Sequence, residues 1–189
     1  MKRRAMDQLA NITPEDITAF WKQAGPKLWF EKSDEFDQQI KHRYGPLPEK
    51  AATGALDHWI KSPAGSLALI LVLDQFPRNI HRGSAKAWQY DEIAREKSKA
   101  AIDAGHDKSY DLPIKRFFYI PYMHSEAMAD QQLCLALCRA VNDEEGVKFA
   151  QLHLDIIKQF GRFPHRNEVL NRPSTPEEIA YLNEGGFAG

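Results

Sequence analysis

The sequence predicts an all-α fold, a single domain of about seven to nine packed antiparallel helices. Residues that start helices, and Gly or Pro residues that stop them, recur at intervals of helical length. No segment alternates between polar and apolar residues over a length that predicts a strand. The content of 43% hydrophobic and 27% charged residues is typical of a globular chain. We expect one domain over residues 1–189, with residues 1–12 as a loosely held N-terminal segment and residues 185–189 as a tail.

The helices are predicted from their caps and from apolar residues spaced three or four apart. A hydroxyl side chain precedes four of them, at Thr13-Pro14, Ser33, Ser62-Pro63 and Thr175-Pro176. Pro is favoured at the first helical position because its missing N–H has no partner there in any case. The predicted helices cover about residues 14–24, 34–44, 48–60, 63–76, 84–104, 143–160 and 176–184, with an apolar stretch over 112–141 that is interrupted at Pro121.

The fourth helix is the most apolar part of the chain. Seven apolar residues run without a break from Leu67 to Leu73. A helix that is apolar on every face must lie inside the molecule. It is followed at once by Asp74, and Pro77 is expected to end the helix at about Phe76.

Two similar polar strings follow buried helices. The first corner, residues 74–79, ends in Phe-Pro-Arg-Asn, and the second corner, residues 160–167, ends in Phe-Pro-His-Arg-Asn. The second string differs from the first by one inserted histidine. Our hypothesis is that the two corners meet in the folded chain and line a polar site.

Helical phase places two acids of residues 121–141 on the face that should be buried. The core-facing stripe is drawn through Asp130, Leu133, Cys134 and Cys138, and one turn earlier it reaches Glu126. A buried carboxylate needs a hydrogen-bonded cation or must hold a proton. Both acids are therefore candidates for proton transfer.

A histidine falls inside the predicted buried stripe of residues 143–160. That stripe is formed by Phe149, Leu152, Ile156 and Phe160, and His153 lies within it. A histidine in such a position is either a hydrogen-bonded structural group or a proton-transfer group.

The corners also have a purely structural interpretation. Asp74 follows a buried helix directly, and Arg78, Arg162 and Arg166 are its candidate partners. Asp–Arg ion pairs would tie the turns together, and Asn would cap freed backbone groups. The quantity of polar material, with three arginines, two histidines and two asparagines, exceeds what a simple tie requires.

Charge and hydropathy exclude several classes of partner. The formal net charge of -1 argues against nucleic acid, which usually requires a strongly basic face. No apolar run reaches the roughly 18 residues of a membrane span. The basic residues 1–4 are not followed by an apolar segment of signal-peptide length. We therefore expect a cytoplasmic protein without a membrane partner.

Metal and nucleotide motifs are weak. His124 and Glu126, like His153 and Asp155, are two residues apart, which on a regular helix points their side chains about 200° apart. The sequence contains no His-Glu-x-x-His, no phosphate-binding Gly-rich loop and no Gly-x-Ser-x-Gly. Cys134 and Cys138 are either a redox or metal pair or two small core residues on one helix face, and no second pair of soft ligands accompanies them.

Three long motifs resemble a bacterial family catalogued as domain of unknown function 924. The motifs are residues 74–79, residues 119–126 with Asp130-Gln131, and residues 160–167. The resemblance extends from about Ile17 to Phe187 and implies an all-helical fold made of tetratricopeptide-like hairpins. It implies no activity. Leu170-Asn171-Arg172 stands where the family leads us to expect Leu-Gly-Arg, which puts the turn after Asn167 in question.

The leading functional hypothesis is a helical pocket that binds a small anionic metabolite and acts on it. Candidate proton-transfer groups are Glu126, Asp130, His153 and His165. Candidate ligand-binding residues are Asp74, Arg78, Asn79, His124, Arg162, Arg166 and Asn167. The alternative is a tetratricopeptide-like scaffold for a peptide or protein partner, in which the same residues are structural ties. A metal-dependent enzyme is the third hypothesis, although no metal ligand set or cofactor can be named from the sequence.

Overall fold

The computed structural model describes residues 12–188 as helices joined by turns and short loops. Within that range there is no β-strand, which confirms the all-α prediction. Backbone contacts divide the chain into two compact units, with described residues 12–82 and 86–121 in the first and 83–85 and 122–188 in the second. Residues 1–11, most of the segment predicted to be loosely held, lie outside the described residues, as does residue 189.

Six helices form most of the first unit. They are α1 (Pro14–Phe30), α2 (Asp34–Tyr44), α3 (Leu47–Ala52), α4 (Pro63–Ile70), α5 (Phe76–Ile80) and α6 (Asp91–Asp103). The predicted start of α1 is confirmed by a capping box, in which Thr13 and Asp16 bond each other's backbone N–H groups. The predicted end at Gly25 is also confirmed, because Gly25 has a non-helical backbone, with φ of 75°, and a second helical segment follows across this kink to Phe30.

Aromatic rings pack around Trp21 in the core of the first unit. Trp21 is fully buried, and its ring lies 6.2 Å from Trp29, 5.9 Å from Phe36, 6.0 Å from Phe76 and 5.4 Å from Phe117. Helix α4 packs against both α1 and α6. Residues 67–73 are fully buried, as their unbroken apolar run predicts.

A π-helical turn follows α4 and carries the first corner. Over Leu71–Gln75 the helix widens, and the N–H of Phe76 bonds to the carbonyl of Leu71, five residues back. The prediction that Pro77 stops the helix is wrong for this reason. Pro77 lies in the first turn of α5, where backbone N–H groups have no partner within the helix, so the N–H that Pro lacks is not needed there. The helical path therefore continues to Ile80, and Arg78 and Asn79 are helical residues.

Two other predicted helices are shorter than expected. The third stops at Ala52, and a 3₁₀ turn over Asp57–Lys61 replaces its second half. The helix predicted from residue 84 begins only at Asp91, after a 3₁₀ turn over Ala85–Trp88. In both places apolar residues recur three or four positions apart, as they do in an α-helix. A short 3₁₀ turn also brings residues three apart to one side, so this spacing does not distinguish the two.

The second unit contains three longer helices. They are α8 (Met128–Ala140), α9 (Glu144–Phe160) and α10 (Pro176–Asn183); the short α7 (Ile120–Met123) precedes them at the boundary between the units. Helices α8 and α9 pack together as an antiparallel hairpin, and Asp143 caps α9 by accepting the N–H of Gly146 at 3.0 Å. Ile156, Ile157 and Phe163 form the core of this unit, with Phe160, Tyr181 and Phe187 packed against them.

The buried faces of α8 and α9 are rotated from the predicted stripes. On α8, Gln131, Cys134, Leu135 and Cys138 are buried, whereas Leu133 is 42% exposed and Asp130 lies at the edge of the buried face. Glu126 precedes α8 and does not belong to its helical stripe.

On α9 the prediction is right for His153 and Ile156 and wrong for Phe149 and Leu152, which are 40% and 38% exposed. The helix turns the small residue Ala150 inward instead. A close approach of two helices favours a small residue over Phe at the contact, which the apolar spacing alone does not encode.

The segment predicted as a C-terminal tail packs onto the second unit. After Gly185, the N–H of Gly186 bonds to the carbonyl of Tyr181 at 2.9 Å, and the N–H of Phe187 bonds to the Tyr181 hydroxyl at 2.9 Å. Within residues 12–188, every helix is too short or too polar to cross a membrane.

Candidate functional site

The first corner is tied together inside the first unit by Arg78. Its Nη1 lies 3.2 Å from Oδ1 of the fully buried Asp74, and both terminal nitrogens donate to Asp91 of α6 at 2.9 Å. Gln75 Nε2 donates to the other Asp74 oxygen at 2.6 Å. Burial alone would lower the pKa of Arg78, but the charges of Asp74 and Asp91 outweigh it and raise the pKa. Arg78 is thus a cation that joins two acids.

Asn79 and Arg82 are directed to one carboxylate on α2. Asn79 Nδ2 donates to Asp37 Oδ1 at 2.8 Å, and Arg82 donates to both Asp37 oxygens at 2.7 and 3.0 Å. These bonds fasten α5 to α2, which pack together. The partners of Asp74, Arg78 and Asn79 therefore favour the structural interpretation of the first corner.

The second corner begins with an ion pair to α10. Arg162 donates from Nε and Nη2 to the two oxygens of Glu178 at 2.6 and 2.8 Å, and Nη2 also reaches the carbonyl of Pro173. Glu178 also accepts the N–H of Thr175, the N-cap residue of α10, so it completes the capping box of that helix as well as binding Arg162. The hydrogen bond from Arg162 is the main reason that the pKa of Glu178 falls to about 2.

The ion pair continues into a closed network. Asn167 Nδ2 donates to Glu178 at 3.1 Å, and Arg172 Nε donates to Asn167 Oδ1 at 3.0 Å. Arg172 also binds both oxygens of Glu126, at 2.7 and 3.0 Å, while the N–H of Phe163 donates to Glu126 at 2.8 Å. We call Arg162, Asn167, Arg172, Glu126 and Glu178 the tie network.

Asn171 shows why the expected glycine is dispensable. Its φ is 52°, in the left-handed region that Gly adopts freely. Asn tolerates this conformation better than most side chains. The turn that brings Arg172 to Asn167 and Glu126 is therefore formed without the glycine.

Beside the tie network lies a group that we call the histidine cluster: His153, His165, Arg166, Phe163 and Phe187. The His153 ring lies 5.5 Å from Phe163 and 4.7 Å from Phe187, and the His165 ring lies 5.7 and 5.4 Å from the same two rings. The Arg166 guanidinium sits 4.5 Å from the centre of the Phe163 ring. Two histidines and an arginine thus share an aromatic surface.

Burial holds both histidines in the neutral form. It is the largest cause that lowers the pKa of His153, and of His165, to about 4. The positive charge of Arg166 acts in the same direction on both, and His124 is near enough to add to it. Glu126 opposes this effect at His165, but Arg172 neutralises that acid.

The nitrogens of the two histidines differ in their bonding. His153 Nδ1 lies 2.8 Å from the carbonyl of Phe149, so this nitrogen carries the proton and donates it. His165 Nδ1 is buried and has no hydrogen-bond partner among the described residues. The hydrogen-bonding capacity of this nitrogen is therefore not used within the described residues.

The remaining candidates lie at the edges of these groups. Asp130 accepts a hydrogen bond from Ser125 at 2.6 Å near the start of α8. His124, between α7 and α8, is half-buried. The structure thus gathers His124, Glu126, His153, His165 and Arg166 in the second unit, while Asp74, Arg78 and Asn79 belong to the first. The meeting of the two corners stays a prediction.

Cysteine and metal chemistry receive no geometric support in the described part of the chain. Cys134 and Cys138 are fully buried free thiols, and a hydrogen bond from Cys138, together with burial, raises the pKa of Cys134. A thiol in this state is a poor nucleophile. No three His, Cys, Asp or Glu side chains within residues 12–188 come together in a way that could hold a metal ion.

Sequence reasoning missed two residues of this region. Glu178 is the hub of the tie network, and Phe187 packs on both histidines. The spacing of Thr175 and Glu178 is the signal of a capping box, which marks Glu178 as a hydrogen-bond acceptor. No local signal marks Phe187, because it lies beyond two glycines that suggest a free tail.

Comparison with known proteins supports the resemblance. A family model described as a bacterial protein of unknown function, DUF924, matches residues 17–186. The chain is also similar to a solved structure of a protein of unknown function from Agrobacterium tumefaciens, with 43% sequence identity and a TM-score of 0.88. That match covers 91% of this chain and 97% of the other. The comparison with curated proteins finds no match.

Proposed function

We propose that this chain, which belongs to the bacterial DUF924 family of proteins of unknown function, binds a small anion at the histidine cluster of its second unit. One observation carries the proposal. His165 Nδ1 is buried without a partner, next to the cationic Arg166. An anion accepting a hydrogen bond from this nitrogen would supply the partner and meet a positive charge.

Charge in this region favours an anion over a cation. The tie network is close to neutral, because Arg162 and Arg172 balance Glu178 and Glu126. Arg166 lies beside the two histidines, where its positive charge lowers the pKa of both, and only 8% of the residue is exposed. Electrostatic attraction is stronger in such a setting than in bulk water.

The arrangement also suggests how the protein would act on its ligand. A bound anion adds negative charge beside His165 and so raises the pKa of its imidazole toward neutrality. His165 then becomes a proton-transfer group, and His153, whose tautomer is set by the carbonyl of Phe149, becomes an acceptor through Nε2. Glu126 is a poorer candidate for this role, because three donors hold it as a carboxylate.

Calorimetric titration with inorganic phosphate and with malonate tests the proposal. We expect one site per chain, and loss of about tenfold or more in affinity in His165→Phe and in Arg166→Met. Lys158→Met is the matched control, because Lys158 is an exposed cation on α9 away from the cluster, and it should bind as the wild type does. Equal binding by all four proteins, or no binding by the wild type to either anion, would contradict the proposal.

The scaffold alternative is favoured by a separate observation. Phe149 and Leu152 lie one turn apart on α9 and are exposed, with Leu133 exposed on the neighbouring α8. The partner that this surface fits is a second copy of the chain. Helix α9 begins with Glu144 and Glu145 and carries Lys158 near its end, so an antiparallel pair would bring opposite charges together.

Sedimentation velocity separates this alternative from ligand binding. The scaffold function predicts a concentration-dependent dimer that the double variant Phe149→Lys/Leu152→Lys abolishes. Phosphate binding by the histidine cluster should persist in that variant. A wild-type chain that stays monomeric at high concentration would count against the scaffold.

A further inference from the structure

A pocket lies in the first unit, at the beginning of α1 and the end of α2. It has a volume of about 250 Å³ and is lined by Ile12, Asp16, His42, Arg43 and Tyr44. These residues come from the N-terminal end of α1 and the C-terminal end of α2. The volume lies below the roughly 300–1,000 Å³ of pockets for drug-sized ligands, so the pocket suits a molecule of few atoms.

Tyr44 supplies a hydrogen-bonding group that the fold leaves unused. Its ring is held by stacking on Phe76 at 5.2 Å and by an edge contact with Phe20 at 5.1 Å, and the residue is 2% exposed. Its hydroxyl is buried and donates to no acceptor in the described part of the chain, while the Arg43 guanidinium, which can only donate, is near enough to lower the pKa of this hydroxyl. Burial is the main cause that raises the pKa of Tyr44, so the hydroxyl keeps its proton and is available as a donor.

Arg43 provides a positive charge that is positioned by stacking. Its guanidinium lies 4.7 Å from the centre of the Phe20 ring and 5.1 Å from that of Tyr44. Among residues 12–188 it forms no ion pair with a carboxylate. A guanidinium has five N–H donors in a planar fork, so it can bind a carboxylate with two bonds.

Asp16 provides a negative charge in the same pocket. Its Oδ2 accepts the N–H and the hydroxyl of Thr13 at 2.9 and 2.8 Å, and these bonds hold the side chain in place. The hydrogen bonds from Thr13 are the main cause that lowers the pKa of Asp16, so it is ionised at neutral pH. The pocket therefore presents a carboxylate and a guanidinium, both on exposed residues, whose charges attract each other without forming an ion pair.

We infer that this pocket binds a small zwitterion, a free α-amino acid with a short aliphatic side chain. The ligand carboxylate binds Arg43 and accepts the Tyr44 hydroxyl, the ligand ammonium binds Asp16, and Ile12 contacts the side chain. A simple anion fits less well, because Asp16 would repel it. A simple cation would be repelled by Arg43 in the same way.

Titration calorimetry with L-valine and two matched analogues tests the inference. Isovalerate lacks the ammonium group of valine, and isobutylamine lacks its carboxylate. We expect L-valine to bind the full chain, and each analogue to bind about tenfold more weakly or not at all. Isovalerate binding as tightly as valine would overturn the role of Asp16, and the absence of L-valine binding would overturn the inference as a whole.

Tyr44→Phe is the most informative variant, because it removes one oxygen and retains the ring. Since the hydroxyl proton has no acceptor among the described residues, the melting temperature of the variant without ligand should change little. Its affinity for L-valine should fall about tenfold. Unchanged affinity would contradict the inference.

Arg43→Met removes the charge and keeps an apolar stem on the two rings, and it should abolish binding. Lys41→Met is its control, because Lys41 is an exposed cation on the same helix that does not line the pocket. Both residues belong to the first unit, and phosphate binding by the histidine cluster of the second unit should be unaffected. Equal L-valine affinity in the Arg43 and Lys41 variants would overturn the assignment.

Discussion

Arg172 binds Glu126 through both of its terminal nitrogens, at 2.7 and 3.0 Å. The same carboxylate accepts the backbone N–H of Phe163 at 2.8 Å. Burial alone would raise the pKa of Glu126, but these donors outweigh it and lower the pKa. A carboxylate held in this way is better suited to positioning the second corner than to accepting a proton at neutral pH.

Replacing Arg172 with Met should destabilise the protein by about 2 kcal/mol. The change removes two bonds to Glu126, one to Asn167 and one to the carbonyl of Phe163, and of the donors to Glu126 it leaves the Phe163 N–H. Urea unfolding gives the measurement. Arg139→Met, at an exposed position on α8, is the control and should cost less than about 0.5 kcal/mol. Equal stability of the two variants would argue against the tie network.

Replacing Arg78 with Met should have a larger effect, a loss of about 3–5 kcal/mol. Asp74 would remain fully buried without its cation, and Asp91 would lose both of its bonds from Arg78. Arg82→Met removes another arginine of the same region, but its side chain is 42% exposed, and the loss should be about 1 kcal/mol or less. Thermal unfolding of the pair distinguishes the cases. An unchanged or raised melting temperature in Arg78→Met would favour a ligand-binding role for the first corner.

Stability should fall as the pH drops from 7 to 5. His153 and His165 have folded-state pKa values of about 4, below the value of about 6.5 in an unfolded chain. The unfolded chain therefore binds more protons, and the stabilisation that is complete above about pH 6.5 is lost as the pH falls toward 4. Each histidine should account for about 1–2 kcal/mol of the difference between pH 7 and pH 5.

Carboxylates with a lowered pKa affect the stability only at lower pH. Glu178, for example, has a pKa of about 2 in the folded chain. Urea unfolding of His165→Phe at both pH values should therefore show a smaller difference than the wild type. His58→Gln, at an exposed position, should leave the difference unchanged. A wild-type stability that is flat between pH 7 and pH 5 would contradict neutral, buried histidines.

Local signals were sufficient to predict most of the fold. The capping residues Thr13, Ser33, Ser62 and Thr175 each accept the expected backbone N–H. The apolar run of residues 67–73 is fully buried, as predicted. The sequence predicts that the helix ends at Pro77, but the π-helical turn before it places Pro77 in the first turn of α5, where no backbone N–H is required. No local pattern in the sequence indicates that turn.

The candidate site was predictable as a set of residues but not as a set of bonds. His153 is buried because it lies on the face of α9 that packs inward, and the spacing of apolar residues along the helix predicts that position. The partner of Arg162 is 16 residues away and that of Glu126 is 46 residues away, so tertiary packing alone brings them together. The same packing decides that Phe149 faces outward and that Phe187 covers the histidines.

The central claim, an anion bound beside His165, is tested most directly by nitrogen NMR of the imidazole rings at pH 7, with and without inorganic phosphate. We expect the His165 Nδ1 signal to shift as this nitrogen gains a hydrogen bond, and the pKa of His165 to rise from its value of about 4. The His153 Nδ1 signal should change little, because that nitrogen already donates to Phe149. If phosphate leaves the His165 signals and pKa unchanged at saturating concentration, the histidine cluster is not an anion site.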